Sequence, residues 1–255
     1  MTLIFKFFYR YWPAILAHVL LLAAWEIAVT WGHVPSFILP TPESTVATLT
    51  DAHYNWIKHV GATSAEVFGG YIVAVVGGVG LALLFTWSRR VSEFLMPLLV
   101  TLNMVPKVAM APLFIVWLSY GVVPNIIITF TICFFPVILN TARGLSEVEP
   151  DLLDLVRVLR ASRWQTFAKI QFPSALPYIF SGMKVSAILA IAGAIVGEFI
   201  GSDKGLGFLI LSVQATLDTA AMFMGVLLIA LIGVALYLFV LALERWVVVS
   251  DARIR

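Results

Sequence analysis

The sequence predicts an all-α polytopic membrane protein with six transmembrane helices and both termini cytoplasmic. Two observations carry the class. Of 255 residues, 61% are apolar and only 12% charged, at a mean hydropathy of +1.00, whereas soluble domains are roughly a quarter charged. The apolar residues also gather into runs near the ~20 residues that cross a hydrocarbon core. A third observation, the placement of Lys and Arg, carries the orientation. The whole chain, 1-255, reads as a single transmembrane domain.

The first span is about 12-31. Lys6 and Arg10 precede it, as they would in a secretory signal peptide. The run is too long for that reading, and Trp12 and Trp31 resemble interfacial aromatics. Glu26 lies inside it, where a carboxylate faces protein, water or headgroups and not lipid tails. Residues 32–62 carry turn signals at Gly32, Pro35, Pro40 and Pro42. Thr41 before Pro42, with Ser44 close behind, predicts a short interfacial helix near 43–57.

The second span is about 64-87. Gly70, Ala74, Gly78 and Ala82 form a small-residue stripe of the kind that lets membrane helices approach closely. The third, about 93-118, would measure roughly 40 Å as one helix, longer than a ~30 Å core. Pro97, Pro106 and Pro112 interrupt it. Broken backbone at membrane depth is tolerated where it is buried in protein or lines a wet cavity, so Asn103, Met104 and Lys107 are candidates to line a translocation path. The competing expectation is a long tilted helix with Lys107 snorkelling to an interface. The fourth span is about 122-139. The fifth is about 175-199, with a small stripe at Gly182, Ser186, Ala190 and Ala194 that reaches Glu198 at the next step. Ser186, Ala190, Ala194 and Glu198 join the candidate path, with a structural role for Glu198 as the alternative. The sixth is about 221-243.

With six spans, one side of the membrane holds Lys6, Arg10, Arg89, Arg90, Arg143, Arg157, Arg160, Arg163, Lys169, Arg245, Arg253 and Arg255; the other holds Lys58 and Lys204. That asymmetry makes the first side, with both termini, cytoplasmic.

On that side lies the longest polar interval, 147-173. Ser146 and Glu149 have capping-box spacing, and Pro150 suits a first turn, so a helix is expected from about 150. Leu152, Leu155, Val156 and Leu159 fall on one face; Asp151, Asp154, Arg157 and Arg160 lie mostly on the others. Ser162 with Gln165 predicts a second helix, with Trp164, Phe167 and Ile170 on its apolar face and Pro173 at its end. Two helices meeting at Ala161 and Ser162 leave an elbow, read either as a solvated loop or as a docking element for a soluble partner. Helices this short need a packing surface.

Asp154-Leu155-Val156, then Arg160, then Ile170-Gln171-Phe172-Pro173 and Pro177, resemble the "EAA" loop of ABC importer permeases. Asp154 stands where the family's Glu falls, Phe172 where its Leu does, and Arg160 where its Gly does. The stretches 106–117 (PKVAMAPLFIVW), 197–201 (GEFIG) and 205–210 (GLGFLI) extend the resemblance to the nitrate, taurine, sulfonate and thiamine-precursor branch, which also takes in riboflavin permeases. It covers about residues 40 to 248. It implies the type I importer permease fold in a bacterial cytoplasmic (inner) membrane. It implies as partners a dimer of ABC ATPase subunits, a periplasmic or lipid-anchored substrate-binding protein and a second permease copy, besides membrane lipid. It further implies a small polar or anionic solute and an ATPase docked on the elbow of Asp151, Leu152, Asp154, Leu155, Val156, Arg157, Leu159, Arg160, Ala161 and Ser162.

No G-x-x-x-x-G-K-[ST] occurs, so ATP and Mg are expected on the partner ATPase, with no cofactor in this chain. No catalytic constellation is present. Cys133 is alone, and His18, His33, His53 and His59 lack ligand spacing, so neither a disulfide nor a metal site is expected. No nucleic-acid partner is expected. The reading from another class is a stand-alone secondary transporter or channel, for which buried Glu26, Glu66, Lys107 and Glu198 would suit ion coupling.

Overall fold

The computed structural model describes residues 2–248, with side chains from Trp12 onward except that of Arg89. The side chains of Lys6, Arg10 and Arg89, and residues Arg253 and Arg255, therefore lie outside the described residues. Among the described residues all regular structure is helical. Among them five helices are long and apolar enough to cross a membrane, and a pair of helices bent by 93° at a short break meets the same measure when taken together.

The chain divides into two compact units, Met1–Ile57 with Leu209–Leu228, and Lys58–Phe208 with Ile229–Arg255. In the first unit, α1 (Thr2–Trp31) leads into α2 (Pro42–Ala47). Thr41 caps α2 through its hydroxyl, which accepts the Ser44 N–H at 3.1 Å. The expected interfacial helix over 43–57 is shorter than predicted. Two 3-10 turns follow α2, and Asn55 closes them in the left-handed region at φ 48°. Trp25 Nε1 donates to the Pro40 carbonyl at 2.9 Å, and Thr219 Oγ1 to that of Phe37 at 2.6 Å. These bonds tie the 32–41 connection to α1 and to the start of α11 (Thr219–Val247).

The second unit is built on α6 (Val122–Ser146), which packs against α3 (Trp56–Trp87) and α9 (Phe172–Gly201). The Gly70 stripe of α3 meets α6 so closely that a Cβ at Gly70 would lie 2.4 Å from Thr129 Cβ. Without water to drive association, such close backbone contact is what holds membrane helices together. Half-way along α9, Lys184 pairs with Glu244 of α11 at 3.0 Å.

Three local expectations are corrected. The Ser146/Glu149 capping box does not form: Ser146 is the last residue of α6 and its hydroxyl donates back to the Arg143 carbonyl at 2.8 Å. The next helix, α7 (Pro150–Val158), begins without a side-chain cap. Pro173 does not end the helix begun at α8 (Arg163–Thr166) either. A π-helical turn over Phe167–Gln171 intervenes, and α9 continues directly to Gly201. The wider turn shifts the hydrogen-bond ladder where proline would otherwise remove a bond and clash. The spans also outrun their apolar cores: α6 reaches Ser146, and α3 starts at Trp56 where about 64 was expected.

Candidate functional site

The elbow is a defined piece of structure. α7 ends at Val158, and Arg160 takes φ +52°. Ala161 N–H donates to the Val156 carbonyl at 2.9 Å and Arg160 N–H to that of Arg157 at 3.0 Å. This is the Schellman pattern, whose left-handed position is most often glycine. The residue at the family's Gly position thus adopts the conformation that glycine favours. The predicted Ser162 box is formed: the Ser162 hydroxyl accepts the Gln165 N–H at 3.2 Å, and Gln165 Oε1 accepts that of Ser162 at 2.8 Å. Below it, Trp87, Trp164 and Phe167 cluster with ring centroids 5.7–6.1 Å apart. They join the elbow to the end of α3.

The apolar face of α7 splits in two. Leu152, Val156 and, unforeseen, Leu153 are half-buried. Leu155, Val158 and Leu159 are exposed by 54%, 81% and 69%. Asp151, Asp154, Arg157, Arg160 and Ser162 are exposed beside them, and Arg157 pairs with Asp154 at 2.8 Å. Just before α7, the Arg143 guanidinium, and after it the Tyr178 hydroxyl, hold the Glu147 carboxyl below the usual carboxylate range.

The candidate path residues separate into two groups. Ser186, Ala190, Ala194 and Glu198 are 0–1% exposed. They sit in the helical core, where Ser186 Oγ donates to the Cys133 carbonyl of α6 at 2.7 Å. A face already covered within its own chain does not line a water-filled path, so the small stripe is a packing seam. Glu198 has the structural role. It accepts from Thr63 Oγ1 at 2.6 Å and from the Gly207 N–H at 2.5 Å, and Thr63 Oγ1 in turn accepts the Leu206 N–H at 2.8 Å. Glu198 thus holds the Gly207 N–H, and Thr63 that of Leu206, at the start of α10 (Leu206–Gln214). His59 Nδ1 accepts the Gly205 N–H at 3.0 Å. Gly205 has φ +114°, and a Cβ there would lie 2.2 Å from Glu198 Cδ. Asn125 Nδ2 donates to Glu66 Oε1 at 3.0 Å in the same buried region, with Asn125 against Gly197.

Asn103, Met104 and Lys107 lie at the break of the bent span, between α4 (Arg89–Met104) and α5 (Lys107–Leu118). The long tilted helix is overturned. Val105 is extended, as a residue before proline tends to be. Lys107 does not snorkel: its ammonium donates to the Asn103 carbonyl at 2.6 Å and to Asn103 Oδ1 at 2.5 Å. It thus satisfies a carbonyl that the end of α4 leaves open. Asn103 and Lys107 are half-buried, and Met104 is exposed.

A family model described as a binding-protein-dependent transport system inner membrane component matches residues 74–249. The chain belongs to this family. A probable ABC transporter permease protein of Haemophilus influenzae is 33% identical over 226 residues, 88% of this chain and 91% of the relative. The riboflavin transport system permease protein of Chloroflexus aurantiacus is 32% identical over 246 residues, 94% and 92% of the two chains. The formylaminopyrimidine transport permease protein of Halalkalibacterium halodurans is 30% identical over 228 residues, 89% and 91%. An inward-facing structure of the MetNI methionine ABC transporter shares the fold, with a TM-score of 0.55 at 21% identity over 72% of this chain and 94% of that one.

The permease is therefore an inner-membrane subunit of a binding-protein-dependent ABC importer for a small solute. A component of such a system is not a carrier or channel that works alone, so that alternative falls. Of the charges that had suggested ion coupling, Glu198 holds α10 and Lys107 caps α4. Sequence reasoning missed Thr63 and Asn125 altogether, since neither stands in a motif. The signal that was available is the pair of glycine-bracketed stretches at 197–201 and 205–207, whose glycines make room for Asn125 and for the Glu198 carboxylate.

Proposed function

We propose that the elbow from Asp151 to Ser162 is where a separate ATPase subunit, carrying ATP and Mg, docks and drives import by this permease. The observation that carries this is the exposed apolar rim of Leu155, Val158 and Leu159 on a nine-residue helix, held out by a built turn and a built cap. A rim of that size asks for a partner. Two permease copies related by a two-fold axis would present two elbows to an ATPase dimer, and closed two-fold symmetry is the commonest assembly. A binding protein delivers the solute from the face opposite the elbow. The curated relatives' names support a small polar or anionic solute. The break at Asn103, Met104 and Lys107 borders the path, since irregular backbone at membrane depth belongs beside protein or water.

The test is the double substitution Leu155→Asp with Leu159→Asp. Burying a Leu side chain is worth roughly 1.5–3 kcal/mol, so losing two weakens docking at least about 100-fold. Co-purification of the ATPase and transport are both expected to vanish, while the permease still inserts and dimerises. Retention of the ATPase with normal transport sinks the docking assignment.

A further inference from the structure

Behind α7, on the side away from the exposed rim, lies a cavity of about 450 Å³. That is within the range of small-molecule sites, roughly 300–1,000 Å³. Its lining includes Arg157, Arg163, Thr166, Gln171, Trp87 and Phe167. The walls come from three places: the end of α3, the inward face of α7, and the start of the long helix that begins at Arg163.

The two arginines differ. Arg157 is paired with Asp154. Arg163 has no acidic partner among the described residues, and it stands in the first turn of a helix, the end where a cation is disfavoured. A guanidinium in that position, at a cavity mouth with a hydroxyl and an amide nearby, is suited to a phosphate or carboxylate. The aromatic wall says where such a group would come from. Trp87 and Trp164 are each 61% exposed, with rings 6.1 Å apart, at the end of a membrane-spanning helix. Exposed tryptophans at that depth mark the headgroup level of a bilayer. A ligand whose tails stay beside α3 can thus place its headgroup in the cavity. The cytoplasmic leaflet, where Lys and Arg orient this face, is the anionic one.

We propose that this cavity binds the headgroup of an anionic phospholipid from the cytoplasmic leaflet, with Arg163 as its principal ligand. The inference rests on the cytoplasmic orientation of the elbow. It adds to the docking reading a lipid that braces α7 against α3 from behind.

The experiment uses the full-length permease, delipidated in a neutral detergent without ATPase and titrated with phosphatidylglycerol or phosphatidylcholine, with bound lipid counted by native mass spectrometry. One phosphatidylglycerol per chain is expected to be retained, and phosphatidylcholine is not. Arg163→Gln weakens that retention about tenfold or more, the scale of losing one charge-assisted bond. Lys169→Gln, which removes an exposed cation of the same cytoplasmic stretch outside the cavity, leaves it unchanged. Equal loss in both variants reduces the effect to overall charge and overturns the site, as does equal retention by wild type and Arg163→Gln. Soluble glycerol phosphate binding at Arg163 without any lipid preference overturns the lipid as its source. ATPase co-purification, measured separately, tells failure of this site from failure of the docking reading.

Discussion

The permease carries two polar constructions at opposite ends of α3, and they follow opposite rules. At the Thr63 end, Glu198, Thr63 and His59 are almost wholly buried, and their bonds run to the backbone of Gly205, Leu206 and Gly207. At the Trp87 end, roughly 36 Å away at 1.5 Å per residue, the elbow is exposed and its polar bonds are short-range caps. In the first, Glu198 and Thr63 bond within the chain and read as structure, although Glu66 Oε2 and Asn125 Oδ1 beside them lack hydrogen-bond partners among the described residues. The second leaves Leu155, Val158 and Leu159 uncovered, as the proposed docking site requires. A buried polar group without its partner is costly, whereas covering an exposed apolar rim releases free energy, roughly 1.5–3 kcal/mol for each Leu buried. On the membrane-spanning helices exposed apolar side chains such as Val76 and Ile188 meet lipid; on the charged stretch of α7 no lipid is at hand, and that is what sets the rim of Leu155, Val158 and Leu159 apart.

That contrast can be broken most decisively at Gly205. Gly205→Ala places a methyl on the Glu198 carboxylate at a left-handed backbone position. Loss of folded protein from the membrane is expected, read by detergent-solubilised yield on size-exclusion chromatography. Glu198→Ala comes next. It strands the Gly207 N–H and the Thr63 hydroxyl, each costing about 1–3 kcal/mol. Thermal unfolding in detergent is expected at clearly lower temperature, with Glu198→Gln intermediate because the amide keeps an acceptor. A normal melting temperature for Glu198→Ala would show that the buried cluster is dispensable.

The elbow variants should move stability far less. Leu155→Asp with Leu159→Asp, which abolishes docking in the proposed reading, is expected to leave the permease melting temperature within about 2 °C of wild type, since exposed positions usually shift stability by no more than ~0.5 kcal/mol. Ser162→Ala loses the cap, about 1 kcal/mol, seen as faster proteolysis at the elbow with no change in the transmembrane helices. The smallest effect is a gain. Arg160→Gly relieves a left-handed residue, which costs about 1–2 kcal/mol for a non-glycine, and is offset in part by glycine's unfolded-state entropy. Slightly slower elbow proteolysis with ATPase binding retained is the expected result; faster proteolysis means that the Arg160 side chain, and not the turn, holds the elbow.

Much of the architecture was legible in the residues. Apolar runs of membrane-spanning length need no tertiary context, because a chain in lipid must satisfy its own backbone. Five long apolar helices, the Ser162 cap and the helix start at Pro150 follow from local rules. The break in the third span was visible as Pro106, although Pro97 and Pro112 looked equivalent to it. Both of those lie inside continuous helices, so a proline list alone does not locate a bend. Pro173 misled for a related reason: a π-helical turn absorbs it, and nothing in the local sequence announces one.

The sequence by itself determined the class, the apolar runs long enough to cross a membrane and the elbow, all of which depend on periodicity, length and short-range hydrogen bonds. Only the tertiary structure decided which faces are free. Ser186, Ala190 and Ala194 offer the same small-residue spacing whether they line water or a neighbouring helix, and it is the close approach of α6 that covers them. Glu198 looks alike as an ion-coupling carboxylate and as a helix cap. Its partners Thr63 and Gly207 differ in distance along the chain, 135 residues away and 9, and no spacing rule joins them. Side-chain identity is local, but burial is a property of what the rest of the chain brings alongside.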